Sequence, residues 1–152
     1  MSIAGITLHA GCVVIGEKAV LLTGKSGAGK SSLARALVDT AVAEGRFAAM
    51  VADDRVLISR HGDRLVARPH PRIAGLQEIR GFGIVRGPFE PAAVIALVLE
   101  LSAGRQPRMP EATGETAHLL GMSVPSLRLY GNRPVAENAA ITRIRLRTAT
   151  VF

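Results

Sequence analysis

The residues best suited to chemistry lie in one run of eight, Gly24-Lys25-Ser26-Gly27-Ala28-Gly29-Lys30-Ser31, which matches the phosphate-binding pattern G-x-x-x-x-G-K-[ST] in full. Each part has a physical reason. The glycines let backbone N–H groups turn inward around phosphate oxygens. The N-terminus of the helix that follows, entered through Ser32, adds the positive end of its dipole. Lys30 supplies a point charge, and the Ser31 hydroxyl is an oxygen ligand for Mg²⁺. Downstream, Phe47-Ala48-Ala49-Met50-Val51-Ala52 is an apolar run ending in Asp53-Asp54. One of these carboxylates can serve a metal and the other a proton. Glu78-Ile79-Arg80-Gly81-Phe82-Gly83-Ile84 places a Glu and an Arg on one side of a period-two stretch, ahead of two glycines spaced by Phe. It reads as a loop built for close approach to a ligand.

These groups work together only if the chain gathers them. His9–Ile15 and Ala19–Thr23 are β-prone runs separated by Gly16-Glu17-Lys18, as a tight hairpin prefers. With Gly16-Glu17 as the turn, Ile15 faces Lys18, and the same register sets His9 opposite Gly24. A strand then leads into the phosphate loop and a helix leaves it over Ser32–Glu44, with Leu33, Leu37 and Ala41 on one face and Gly45 as a stop. That helix carries the chain roughly 20 Å away, and the following strand returns it about 23 Å. The aspartates therefore come back to the phosphate loop. A right-handed crossover would set their strand parallel to Ala19–Thr23, with both carboxyl ends at one sheet edge.

Beyond Asp54, Arg55–Arg60 and Arg64–Arg68 flank His61-Gly62-Asp63 as a second hairpin, and antiparallel additions of this kind make the sheet mixed. Pro69-His70-Pro71 breaks it, and 73–77 is expected as a short helix. Ala92–Leu101 is continuously apolar, which predicts a buried central strand. Ser102–Gly114 reads as a polar connection carrying Arg105 and Arg108. Residues 116–121 are expected as a short helix, Val124–Leu129 as a strand and Pro134–Arg147 as a helix whose Arg143, Arg145 and Arg147 satisfy its C-terminal dipole, with no acid nearby in sequence.

The chain of 152 residues suits a single domain, 1–152, and 48% hydrophobic with 20% charged residues excludes a disordered chain. Its longest apolar stretch is too short to span a bilayer. The N-terminus lacks the pattern of a secretory signal, so a cytoplasmic location without a membrane partner is expected. The lone Cys12 sits in a predicted strand and reads as core. Net charge is +7, and 16 of the 19 cations are Arg, which favours forked recognition of an anion. With no Trp, one Tyr and four Phe there is no base-stacking platform, so a nucleic-acid partner is not expected.

With these residues in hand, the chain resembles the catalytic domain of bacterial HPr kinase/phosphorylase, in the short form without the N-terminal domain. The resemblance rests on His9 fifteen positions before the loop, Gly24–Ser31, Val51-Ala52-Asp53-Asp54 and Glu78–Ile84, which looks like the family signature. It implies an α/β fold like that of phosphoenolpyruvate carboxykinase, a loop-containing mixed sheet flanked by helices. It also implies ATP- and Mg²⁺-dependent phosphorylation of a seryl hydroxyl of the phosphocarrier HPr, together with phosphate-dependent removal of that group to give pyrophosphate. The implied assembly is a homo-oligomer, a hexamer.

By motif position, His9 and Lys30 would be catalytic, Asp54 the base beside Asp53, Ser31 and Glu78 the Mg²⁺ holders, and Arg80 and Arg108 catalytic arginines. The segment Val124–Leu129 departs from the family pattern linked to dephosphorylation. A seryl hydroxyl needs a carboxylate to take its proton as transfer proceeds, which also selects Asp54. Taken alone, the phosphate loop is equally compatible with a small-metabolite kinase, or with a nucleotide- or phosphate-sensing module that binds without turnover.

Overall fold

The computed structural model describes residues 2–79, 81–104 and 115–149, with backbone only for 2–4. In chain order the described elements are β1 (Ser2–His9), β2 (Gly11–Ile15), β3 (Lys18–Thr23), α1 (Lys30–Ala43), β4 (Ala48–Ala52), β5 (Arg55–His61), β6 (Arg64–Pro69), β7 (Leu76–Ile79), β8 (Gly83–Arg86), β9 (Ala93–Ser102), β10 (Thr116–Leu119), β11 (Met122–Tyr130) and α2 (Val135–Thr148). Nine strands form one mixed sheet with the path β1-β5-β6-β9-β3-β2-β4, to which β11 adds beside β9 and β10 beside β11. The hairpin β7–β8 stands apart.

Strand β9 organises this sheet. Its ten residues run parallel to β3 and to β11, and its first two pair antiparallel with β6. A strand paired on both edges and covered on both faces must be apolar throughout, which is why its sequence does not alternate. The buried side chains divide by face. Val13, Ile15, Val20, Leu22, Leu97 and Leu99 pack with Leu33 and Leu37 of α1 and Leu146 of α2. Cys12, Val14, Leu21 and Val98 pack with Val51, Ile58, Leu65 and Val124 on the other side. The period of two along β2 and β3 thus separates two cores, and both helices lie on one face. Cys12 is fully buried, and burial pushes its thiol up to about 12, as expected of an inert core residue.

The hairpin register holds from Ile15↔Lys18 to Gly11↔Leu22. It does not extend to His9, because the strand is interrupted at Ala10 and β1 pairs His9 with Arg55 of β5 instead. Strand β4 points the same way as β3 but is not its neighbour. β2 lies between them, antiparallel to both, and the parallel partner of β3 is β9. Local periodicity fixes strand direction but carries no information about which strand enters the intervening position.

Two expected helices are absent. Residues 71–75 are turns leading into β7, where Pro71 and Gly75 limit helix propagation. Thr116–Leu119 pairs with β11, its alternating exposure fitting a half-buried edge hairpin. The stretch read as a ligand loop is the β7–β8 hairpin. The connection carrying Arg105 and Arg108 lies, over 105–114, outside the described residues. Among the described residues, no helix is long and apolar enough to cross a membrane.

Far from the phosphate loop, α1 is tied to α2. Arg143 is 8% exposed and forks onto both carboxylate oxygens of Glu44, so the acid that local sequence did not supply comes from the other helix. Arg145 instead donates to the Thr148 hydroxyl at 2.8 Å. The Arg143 hydrogen bonds hold the Glu44 carboxyl below its ordinary range. A carboxyl lowered on folding stabilises the fold above its unfolded pKa, and that contribution is lost as pH falls through the folded value. Urea unfolding from neutral pH down to about pH 3 is therefore expected to lose stability less steeply in Arg143→Met than in the parent chain. Parallel acid limbs would show that the pair contributes nothing.

Candidate functional site

The phosphate loop is built against a wall that admits no side chain. Gly24 has φ +141°, and a Cβ there would meet the Leu101 carbonyl oxygen at 2.3 Å. Only glycine lets the chain leave β3 this close to β9. The Thr23 hydroxyl donates to the Leu99 carbonyl at 3.1 Å, and the Gly131 N–H to the Ser102 carbonyl at 2.8 Å. The loop therefore sits on β9 and on the segment following β11. Its closing turn is Ala28 N–H to the Lys25 carbonyl, 3.1 Å.

Helix α1 starts directly from this loop at Lys30. Lys30 is 8% exposed, and its ammonium donates to the carbonyls of Gly24 at 2.5 Å and Lys25 at 3.2 Å. The charge is thus held inside the loop. One residue on, the Ser31 hydroxyl donates to Asp53 Oδ1 at 2.9 Å, and the other oxygen, Oδ2, accepts the backbone N–H of Glu78 at 3.1 Å. Asp53 consequently joins the end of β4 to the first turn of α1 and to β7. The next residue, Asp54, turns the other way and places Oδ1 at 3.2 Å from His9 Nε2, each side chain 59% exposed. Asp54 Oδ2 has no hydrogen-bond partner among the described residues.

These groups share a cleft of about 320 Å³ at the carboxyl ends of β3 and β4. Its wall contains His9, Ser26, Gly27, Gly29, Lys30, Ser31, Ser32, Asp53, Asp54 and Glu78 from the expected set. Gly24, Lys25 and Ala28 are not in the wall. The first two hold Lys30 through their carbonyls, and Ala28 is buried. Arg80 and Arg108 lie outside the described residues. Arg35, which also lines the cleft, was missed by sequence reasoning. The available signal was its spacing, four residues after Ser31 and so on the same helix face.

His9 reaches the site by a different route from the one its register suggested. It ends β1, and pairing with Arg55 sets it beside the Asp53-Asp54 step that precedes β5. The donors gathered around Ser31 are all oxygens, a hydroxyl and the carboxylates of Asp53 and Glu78, as a hard divalent cation prefers. Among the described residues no cluster of three or more His, Cys, Asp or Glu forms a self-sufficient metal cage. This composition suits a cation that completes its shell with phosphate oxygens.

Comparison with known proteins fits this geometry. The family model described as HPr Serine kinase C-terminal domain matches residues 3–144. The chain belongs to that family. Among curated relatives, the HPr kinase/phosphorylase of Chlorobium phaeobacteroides (strain BS1) is 35% identical over 80% of this chain and 37% of its own length. That of Chlorobaculum tepidum is 33% identical over 90% of this chain and 40% of its own. That of Halalkalibacterium halodurans is 36% identical over 72% and 37%. The chain thus spans about two fifths of the length of the curated relatives it matches. The solved HPr(Ser) kinase/phosphatase of Coxiella burnetii superposes with a TM-score of 0.73 at 26% identity, covering 93% of this chain and 88% of that one. The mixed α/β fold implied by the family resemblance is therefore the fold of this HPr kinase C-terminal domain.

The crowding at Gly24 distinguishes it from its neighbour. Gly27 has φ +84° with open space around the position of a Cβ. Gly27→Ala is expected to cost about 1–2 kcal/mol from the left-handed backbone alone. Gly24→Ala adds the collision with Leu101 and is expected to cost about 2–5 kcal/mol. Urea unfolding of the two variants checks the order, and equal losses would contradict it.

Proposed function

We propose that this chain transfers the γ-phosphoryl group of ATP to a seryl hydroxyl of HPr in the presence of Mg²⁺. The observation that carries the reading is the division of labour between adjacent carboxylates. Asp53 spends both oxygens on Ser31 and Glu78, whereas Asp54 keeps one oxygen for His9 and one without a protein partner among the described residues. Two acids side by side in sequence thus have different tasks, one anchored and one available.

The loop N–H groups and the N-terminus of α1 favour the negative charge of the nucleotide phosphates, and Lys30 adds its ammonium. Ser31, Asp53 and Glu78 would hold Mg²⁺, which when bound neutralises charge on the phosphate oxygens. The acceptor is a poor nucleophile near neutral pH. Asp54 takes its proton as the serine oxygen forms a bond to the γ-phosphorus and the bond from that phosphorus to the β–γ bridging oxygen breaks, leaving ADP. His9 fixes one oxygen of Asp54 so that the other meets the acceptor. This positioning, with preorganised charge, supplies most of the catalysis.

Dephosphorylation uses the same groups in reverse order. An oxygen of inorganic phosphate attacks the phosphoserine, the bond from phosphorus to the serine oxygen breaks, and that oxygen recovers a proton from Asp54. The products are HPr and pyrophosphate.

Incubation with HPr, ATP and Mg²⁺ is expected to give phosphoserine on HPr, and subsequent inorganic phosphate to release pyrophosphate. Transfer to a small soluble alcohol and none to HPr would replace this reading with a metabolite kinase, and binding without turnover would replace it with a sensor. Asp54→Asn is expected to lower transfer by about 10²–10⁴-fold while changing ATP affinity by less than about threefold. Full activity in that variant would remove Asp54 as the base. Asp53→Asn has a different signature. The gain in ATP affinity on adding Mg²⁺ is expected to shrink by about 10–100-fold, measured by titration with and without the metal. An unchanged gain would exclude Asp53 from the metal site.

A further inference from the structure

The phosphate loop, the two aspartates and His9 leave one charged group of the cleft without a task. Arg35 lies one helical turn beyond Ser31, exposed and lining the same cleft. It has no ion pair or hydrogen bond among the described residues. Side chains on a helix lean toward its N-terminus, so the guanidinium extends over the turn carrying Ser31 and Ser32.

The charge balance gives this placement its meaning. The cleft wall carries Lys30 and Arg35 against Asp53, Asp54 and Glu78, 2 − 3 = −1. Lys30 is held at the inner end by two loop carbonyls. A phosphoryl group moving outward from the loop toward Asp54 leaves that ammonium and approaches carboxylates of its own sign. The cation on the wall without a partner is Arg35, and its planar fork matches two phosphoryl oxygens, which a point charge cannot do.

We propose that Arg35 clamps the phosphoryl group at the acceptor end of the cleft: it holds the γ-phosphoryl as it passes to the seryl oxygen, and phosphoserine or inorganic phosphate in the opposite direction. The inference rests on the phosphotransfer reading above and adds a binding residue to it. Arg35 exchanges no proton. The bond made and broken are those already stated, and the guanidinium stabilises charge on the group between them.

The test uses the full chain with Arg35→Gln and Arg35→Lys, ATP, Mg²⁺ and HPr. ATP dissociation constants and rates of HPr phosphorylation and of the slower transfer to water are measured for each. Arg35→Gln is expected to lower both rates by about 100-fold or more, toward the range lost when a phosphoryl-binding arginine is absent, with ATP affinity within about threefold. Arg35→Lys keeps the charge without the fork and is expected to recover about tenfold of that loss.

Rates of Arg35→Gln within about threefold of the parent would overturn the proposal, as would weakened ATP affinity at an unchanged rate, which would make Arg35 an anchor of the nucleotide. A parent chain inactive on HPr would sink the HPr reading alone, since the transfer to water still reports on Arg35. Thermal unfolding of each variant separates a lost clamp from a lost fold. Should Arg35→Gln not fold, Arg35→Lys decides alone, a rate equal to the parent's overturning the proposal and a tenfold lower one supporting it.

Discussion

A single carboxylate holds the cleft together. Asp53 belongs to the end of β4, yet its two oxygens accept hydrogen bonds from the Ser31 hydroxyl on α1 and the Glu78 N–H on β7, residues 22 and 25 positions away. Three segments that share no other hydrogen bond are thereby set at fixed separation. Because Glu78 is held through its backbone N–H, its carboxylate remains available to the cleft. Because Ser31 is held through its hydroxyl, that oxygen is already oriented. The anchored acid also determines what its neighbour can do, since successive residues at the end of a strand point to opposite sides and Asp54 is left to His9. Function here follows from the pleat of one strand.

What the sequence disclosed and what it concealed divide along the range of the forces involved. The phosphate loop, the Gly16-Glu17 hairpin and α1 are specified by residues within a few positions of one another, and they form as their local chemistry requires. The long apolar strand β9 is legible for a related reason, because burial on both faces leaves its mark on every residue. Strand order is another matter. Nothing in Ala48–Ala52 says that β2 rather than β3 will be its neighbour, since apolar β-prone residues satisfy either pairing.

Segments 73–77 and 116–121 failed as helices because four or five residues of mixed character carry no resolvable period, and pairing with β8 and β11 then decided the outcome. The Glu44–Arg143 pair, 99 residues apart, was beyond any local reading. The site residues were found because the chemistry of phosphate demands rare residue combinations. Arg35 escaped because an arginine on a helix is ordinary until the wall opposite it is known.

The two ends of α1 do opposite work, and the contrast explains why the cleft can be built from so little. At its C-terminal end Glu44 is clamped by Arg143, and Leu33, Leu37 and Ala41 seal the helix onto the sheet with α2. At its N-terminal end the helix begins in a loop of small residues whose hydrogen-bonding groups face the cleft. A loop of that kind cannot stabilise itself by burial. It is supported from behind instead, by Thr23 on Leu99 and by Gly131 on Ser102. The donors and charges of the site are therefore mounted on rigid elements and need little rearrangement when an anion arrives, which is the condition under which fixed dipoles and charges contribute most to stabilising a transferring group.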